Sequence, residues 1–558
     1  DSLDWSLSGT TTRASGMSNM GSNDAANLDR TTSNPQTSTA NSLLGKLVFR
    51  PTATQSHVVT LEHVQKDTDI DLLSSRVKLP VAIALNYASL NATQKTAAPT
   101  AAVVSETSEK QMTRTRITWD TSIRLDSGLA DGLKTVLSWQ DSHAQDDGQT
   151  LLKTAWPNDG ARVRKTSYQE RSWQASVQAE KTLKLSSRWS HKLSYGLDYA
   201  STDIASFADG SDPAPLPVFS PRKYFPDTRD TSQAIFFQSE LISDKWSITP
   251  GVRFDRFALD VLSQSGYYPG IAKEPAKSLS GSAVSPKLGV LYRVAPQWSV
   301  YGNYASGFRA PEGQQVNSAL DVSTARLLPN PDLKPENSRN VELGLRARLD
   351  RLSLDIAAFS SAYNNLIQEK KDLGTANGLA ASTSNPTLFQ TVNIDKATIR
   401  GFEIKGVMDW GQAAGGKWRS PFAYGQARGT NDSTGLPLTY MDPAKLSLGL
   451  KYETSDWDLR VDIIHRQEKT SSDLDSVFIP KSTTQYQFVV PQATTLDLSG
   501  QWRVRKDLRL NFAINNLTDR KYWNWSDVQG LSANATPLVV DAYTQPGRHI
   551  NLSLVADF

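Results

Sequence analysis

Hydrophobic and polar residues alternate one by one through most of the chain. In the C-terminal stretch HINLSLVADF, Ile550, Leu552, Leu554, Ala556 and Phe558 share one face, while Asn551, Ser553 and Asp557 share the other, with Val555 as the exception. LRLNFAI sets Leu508, Leu510, Phe512 and Ile514 against Arg509, Asn511 and Ala513. NVELGLRARL and LSLDIAA repeat the pattern with only Asp350 and Arg351 between them. A side-chain period of two marks a half-buried strand, and a two-residue link marks a tight hairpin. About twenty such strands can be traced from LDWSLSGTTT to NLSLVADF.

The connections are uneven, and the unevenness alternates. Short links fall near 505–507, 455–456, 411–417, 350–351, 295–297 and 243–245. Long polar ones fall near 526–546, 471–490, 431–442, 372–389, 312–336, 262–283, 207–229 and 69–109. Val81–Leu90 reads as a short helix or an apolar patch inside the last of these. Short turns at one end and long loops at the other predict an all-β fold, a transmembrane antiparallel β-barrel with its long loops outside the cell. A sandwich needs fewer strands, and a propeller calls for a blade repeat that the chain lacks.

Composition narrows the reading further. Lys plus Arg is 60 against 57 for Asp plus Glu, a net charge of +3 that gives no reason to expect nucleic acid. The chain has no cysteine, which rules out disulfides, thiolate metal sites and cysteine nucleophiles. No run of 18 apolar residues occurs, as a membrane helix would need, but barrel strands show lipid only every second residue. The 14 Trp and 17 Tyr suit two aromatic girdles. No catalytic triad or paired-acid arrangement stands out, so an enzyme is not expected.

Several strings carry a family resemblance: GFRAPEGQQVN (Gly307–Asn317), NPDLKPEN, NIDKATIRGFEIKG (Asn393–Gly406), NFAINNLTDRKYW (Asn511–Trp523) and PGRHINLSLVADF ending at Phe558. In this order they resemble the TonB-dependent outer-membrane receptors of Gram-negative bacteria. The resemblance implies a barrel of the twenty-two-stranded type, occluded by an N-terminal plug. Residues 1–558 read as the barrel domain alone, with no plug, no energy-coupling box and apparently no first hairpin, as in a cut receptor. It further implies energy coupling to the TonB system through the plug, insertion into outer-membrane lipid by the barrel assembly machinery, and Phe558 as the assembly signal.

Within the family, the pair FRAP (Phe308–Pro311) and NPDL (Asn330–Leu333) resembles receptors for haem and haemoproteins, with a haemoprotein or haemophore as donor. The alternative is a ferric-siderophore receptor of the same architecture. A passive pore or adhesin is the reading from another class. No intrinsic cofactor is expected; haem or a ferric siderophore would be transported ligand. The interval Glu312–Pro329 contains neither His nor Tyr, so the usual haem-iron ligand has no counterpart there. His143, at the outer end of KTVLSWQDSHAQDD, and Tyr224, Tyr267 and Tyr268 in external loops are the ligand candidates; the ordinary role is a solvated loop histidine for His143, and loop packing or contact with a protein partner for the tyrosines. Arg309 suits a haem propionate or a siderophore carboxylate, or a lumen-facing salt bridge to a plug. Phe308, Pro311, Asn330, Pro331 and Asp332 are expected to organise the loop.

Overall fold

In the computed structural model, which describes residues 2–76, 101–154, 159–213, 221–267, 275–322, 324–382, 384–475, 487–531 and 539–556, the alternating segments become one antiparallel wall. It begins with β1 (Leu3–Ser15), β2 (Gln36–Thr52), β3 (Gln55–Asp71), β4 (Ala101–Arg124), β5 (Gly132–Thr154), β6 (Asp159–Lys184) and β7 (Ser190–Ser211). Next come β8 (Asp227–Ile242), β9 (Trp246–Ser263), β10 (Leu279–Ala295) and β11 (Trp298–Arg309). A long loop then carries a short helix, α1 (Gly313–Asn317), and two short strands, β12 (Leu320–Val322) and β13 (Ala325–Leu328). The wall resumes with β14 (Glu336–Arg348), β15 (Leu352–Thr375), β16 (Thr387–Ala413), β17 (Gly416–Asn431) and β18 (Lys445–Glu453). It ends with β19 (Trp457–Arg466), β20 (Ala493–Arg505), β21 (Leu508–Asn515) and β22 (His549–Ala556). Of these 22 strands, β12 and β13 lie in a loop, leaving twenty in the wall, as the alternation predicts.

Each wall strand pairs with the next wall strand in the chain, and every ladder between wall strands is antiparallel. No ladder joins β1 to β22 among the described residues. The two ends meet instead at the outer rim: Asn19 Nδ2 donates to the Ala542 carbonyl at 2.8 Å, and the Met20 amide to Thr544 Oγ1 at 2.9 Å.

The pleat decides which side chains meet lipid. Leu343 is 65% exposed, Ile235 55% and Leu552 72%, each on the outward face of its strand. Aromatic rings bound this band at both ends. Near the short turns Trp246 meets Tyr292 with ring centroids 4.4 Å apart, and Tyr452 lies 4.7 Å from Trp418 and 5.1 Å from Trp457. Nearer the long loops Trp139 faces Trp173 at 6.5 Å and Phe402 faces Tyr424 at 5.5 Å. Apolar outside, aromatic at both edges and hydrogen-bonded from strand to strand between β1 and β22: this is the surface a bilayer demands of a strand wall.

Several strands continue well past that band. A span needs about 9–11 residues, whereas β6 has 26 and β16 has 27. The expected long loop 69–109 is correspondingly trimmed, because β3 reaches Asp71 and β4 starts at Ala101; Val81–Leu90 lies outside the described residues. His143 is likewise within β5 rather than at its outer end, on the same face as Leu137 and Trp139 and so directed away from the lumen. The buried hydrophobic clusters sit under the long loops, not within the membrane wall: Leu474, Val490, Trp525 and Val528 form one, and Ile394, Ala397 and Leu438 another.

Candidate ligand-receiving site

The loop between β11 and β14 rises where the wall divides. The β10–β11 ladder stops at Lys287 and Ala305, although β10 continues to Leu279 at its outer end and β11 to Arg309. Pro286, the next residue of β10, has no N–H to give a partner strand. Phe308 and Phe257 lie 5.7 Å apart, ring to ring, beside this split.

From Arg309 onward the loop is fastened on two sides. Toward β8–β10, α1 is closed by a reciprocal capping box between Glu312 and Gln315. Gly313 packs on Thr228, which is fully buried, and a Cβ at position 313 would stand 2.9 Å from Thr228 Oγ1. Val316 joins Leu259 and Leu333 in a small core. Asn317 exchanges two hydrogen bonds with the Lys277 backbone, both 3.0 Å, and its carbonyl accepts the Tyr267 hydroxyl at 2.9 Å.

Toward β15–β16, β13 adds in parallel to Thr387–Gln390. Gln390 Nε2 donates to the Pro329 carbonyl, and Asn330 Nδ2 to the Thr391 carbonyl, each at 2.9 Å. Asn393 receives the Lys334 amide at 2.9 Å and donates back to its carbonyl at 3.0 Å. Asn330 Oδ1 also accepts the Asp332 amide at 3.2 Å, which forms the turn around Pro331. FRAP and NPDL thus lie at the two feet of one braced loop.

Between the feet, Arg309 faces Glu336 across the strand ends, with contacts of 2.7 and 3.1 Å, and Glu336 also accepts the Ile367 amide at 2.6 Å. Gln315 Nε2 donates to Glu369 at 2.6 Å. On the lumen side of β6 and β8, above the aromatic edge, Tyr168 donates to Glu170 at 2.5 Å. Burial, then the charges of Glu312 and Glu170, push the nearby Asp230 carboxyl up to about 6. Burial first, then the Glu170 contact, raises the Tyr168 phenol.

The candidates named from sequence do not converge. Arg309 is paired with Glu336, and Tyr267 is tied to Asn317, its phenol raised by burial. The Tyr224 carbonyl accepts the Ala319 amide, so its backbone also steadies the loop. His143 stands away from them on β5, and Tyr268 and Phe558 lie outside the described residues. Sequence reasoning missed Gln315, Asn317, Glu369 and Asn393, whose long-range partners are 28 to 59 residues away in the chain. Among the described residues no group of three or more His, Asp or Glu is placed to hold a metal ion.

A wall of twenty membrane-length strands, with braced loops at one end and tight turns at the other, defines a multi-pass outer-membrane β-barrel of a Gram-negative bacterium. The family model described as "TonB dependent receptor-like, beta-barrel" matches residues 5–517, and the chain belongs to that family, whose members are transport proteins rather than enzymes. Its curated relatives include the probable hemoglobin and hemoglobin-haptoglobin-binding protein 4 of Haemophilus influenzae, 25% identical over 276 residues, 46% of this chain and 27% of the relative. The heme/hemopexin utilization protein C of Haemophilus influenzae is 26% identical over 376 residues, 63% of this chain and 48% of that one. The chain therefore spans about a quarter to a half of the length of these relatives. Among solved structures, the copper transporter OprC superposes with a TM-score of 0.70 at 14% identity, over 99% of this chain and 76% of its own. The ferric enterobactin receptor of Pseudomonas aeruginosa gives 0.66 at 18%, over 100% and 77%. At these identities the likeness establishes the fold.

Proposed function

We propose that this barrel belongs to an uptake receptor for an iron compound, with a ferric siderophore as the first reading. The observation that carries this choice is the commitment of the suitable side chains at the mouth. Tyr267, which would have to ionise to bind ferric iron, is half-buried and donates its proton to Asn317. Arg309 is held by Glu336. A mouth of this kind suits a ligand that arrives with its iron already saturated by donor atoms. A siderophore does so, whereas haem leaves axial positions for a protein to fill.

Haem is the second reading. The paired FRAP and NPDL motifs and the relatives named for hemoglobin and hemopexin support it. In that case a donor haemoprotein keeps the axial ligand until a residue elsewhere takes it; of the described candidates Tyr224 remains, since His143 is turned away from the lumen. Either reading calls for coupling to the TonB system and insertion by the barrel assembly machinery, with Phe558 as its signal.

The test is a binding titration of the purified chain in detergent, with catecholate and hydroxamate ferric siderophores, haemin and hemoglobin as separate probes. Saturable binding of a ferric siderophore, with no new Soret feature on adding haemin, is expected. Saturable haemin binding with a tyrosinate or imidazole signature, and no siderophore binding, would reverse the order. A steady open conductance with no binding of either would return the protein to the passive-pore reading.

A further inference from the structure

The outward face of β14–β17 changes character immediately above the aromatic edge. On β16 the outward residues run Trp410, Met408, Gly406, Ile404 and Phe402, and the next one is Arg400. The register sets Arg400 directly opposite Arg428 of β17, with Phe402 opposite Gln426 one step below. Across the other side, Arg400 is level with Ser360 of β15, and Ser360 with Val341 of β14. One step higher, Arg339 of β14 follows the same outward face as Val341 and Leu343.

Two arginines side by side on adjacent strands repel each other unless a counter-charge joins them. Among the described residues neither Arg400 nor Arg428 makes an ion pair, and both are exposed. Asp432, a carboxylate at the rim of the cleft over this face, is turned to Thr398, whose hydroxyl it accepts at 2.7 Å. Asp473, from the β19–β20 loop, feels the Arg428 charge, but its own hydrogen bonds are to Thr470. The opposite flank is built differently. There Arg171 meets Asp141 at 2.8 Å and Arg229 meets Asp203 at 2.5 Å, also just above the aromatic edge. One flank neutralises its arginines internally, and the other leaves them facing outward.

A cleft of about 730 Å³ lies over this second flank, lined by Ala358, Thr398, Arg400, Phe402, Gln426 and Arg428 among others. Its floor is low because Ala358, Ser360 and Ala362 alternate on the outward face of β15. Below the arginines it opens onto Leu343 and Phe402, which are continuous with the lipid-facing band.

We propose that this cleft binds the phosphorylated headgroup of an outer-leaflet lipid. Arg400 and Arg428 grip the phosphate, Gln426 and Thr430 donate beside it, and an acyl chain descends along the small residues of β15. The arginines are at the height where long cationic side chains reach a membrane's polar layer. Paired guanidinium groups supply the forked donors that phosphate oxygens accept. Continuity with the apolar band selects a lipid over a soluble anion. This inference does not depend on which iron compound the receptor takes.

The test is native mass spectrometry of the detergent-purified chain titrated with a phosphorylated glycolipid, its dephosphorylated counterpart and inorganic phosphate. The phosphorylated lipid should bind in preference to the dephosphorylated one. The double variant Arg400→Gln/Arg428→Gln should weaken that binding by about tenfold or more, the scale of losing charge-assisted contacts, while the lumen-facing Lys287→Gln leaves it unchanged. Should the double variant fail to assemble, Ser360→Asp supplies a counter-charge beside Arg400 and should likewise weaken phosphorylated-lipid binding. Equal binding of both lipids, no effect of either set of substitutions, or inorganic phosphate competing as well as the lipid would overturn the proposal.

Discussion

Replacing Arg309 by alanine tests how the receiving loop is held. Glu336 is the buried member of the pair, with a side chain 11% exposed against 45% for Arg309. Removing Arg309 takes away contacts of 2.7 and 3.1 Å and leaves a buried carboxylate with the Ile367 amide as its remaining donor. Breaking a fully buried pair costs about 3–5 kcal/mol, and an exposed pair contributes under about 1 kcal/mol. This pair lies between the two, so we expect about 2 kcal/mol, equivalent to roughly 30-fold in a local opening equilibrium. The complementary Glu336→Gln keeps an acceptor for Ile367 and strands only the half-exposed arginine, at about 1 kcal/mol. Hydrogen–deuterium exchange of amides in 310–335 reads both directly, because loop opening exposes them without unfolding the wall. Arg309→Ala should accelerate exchange there more than Glu336→Gln, with the β18–β22 amides unchanged. Unaltered loop exchange, or a larger effect from Glu336→Gln, would refute the reasoning.

Gly313→Ala should loosen the same foot, since its new Cβ would meet Thr228 Oγ1 at 2.9 Å and Leu259 at 3.2 Å; about 1–2 kcal/mol of overpacking is expected, read as faster proteolysis between residues 310 and 335. Burial and the charges of Glu312, Glu170 and Asp260 raise Asp230 to about 6, above its ordinary 3.8. Its folded form therefore favours the proton, so the loop should gain stability as pH falls from 7 through 6 and keep gaining until the ordinary carboxylate range is reached. Asp230→Asn should remove that dependence, to the extent of on the order of 2 kcal/mol at neutral pH; a pH series of loop exchange that is identical in the two proteins would count against it.

The wall was legible because lipid imposes a strict demand: every outward residue in the band must be apolar, so period two survives in the sequence. Above the band both faces are wet and the demand lapses. Ser105–Glu109, in β4, is polar on both faces yet is paired with β5 throughout, so nothing in its pattern separates it from the loop expected over 69–109. His143 was misplaced by the same effect, because nothing in the polar run around it announces that β5 continues to Thr154. The loop motifs could be recognised, and Asn330 carries hydrogen bonds to the Thr391 carbonyl and the Asp332 amide at the second foot of the loop. What they touch could not be read. Asn317 meets Lys277 forty residues back, and Asn393 meets Lys334 fifty-nine residues back, through backbone groups that leave no side-chain signature. The paired arginines were hidden too, since Arg400 and Arg428 become neighbours only through the β16–β17 register.

FRAP and NPDL anchor an outward-facing loop, while the short turns face the periplasm. The chain has no cysteine, so single cysteines can be placed without background. Gln315 is buried in the capping box, which makes its exposed neighbour Gln314 the informative position. Gln314→Cys should react with a membrane-impermeant thiol reagent on intact cells, and Arg351→Cys, at the turn between β14 and β15, should react only after the outer membrane is opened. Labelling of Arg351→Cys on intact cells, or protection of Gln314→Cys until permeabilisation, would contradict this orientation.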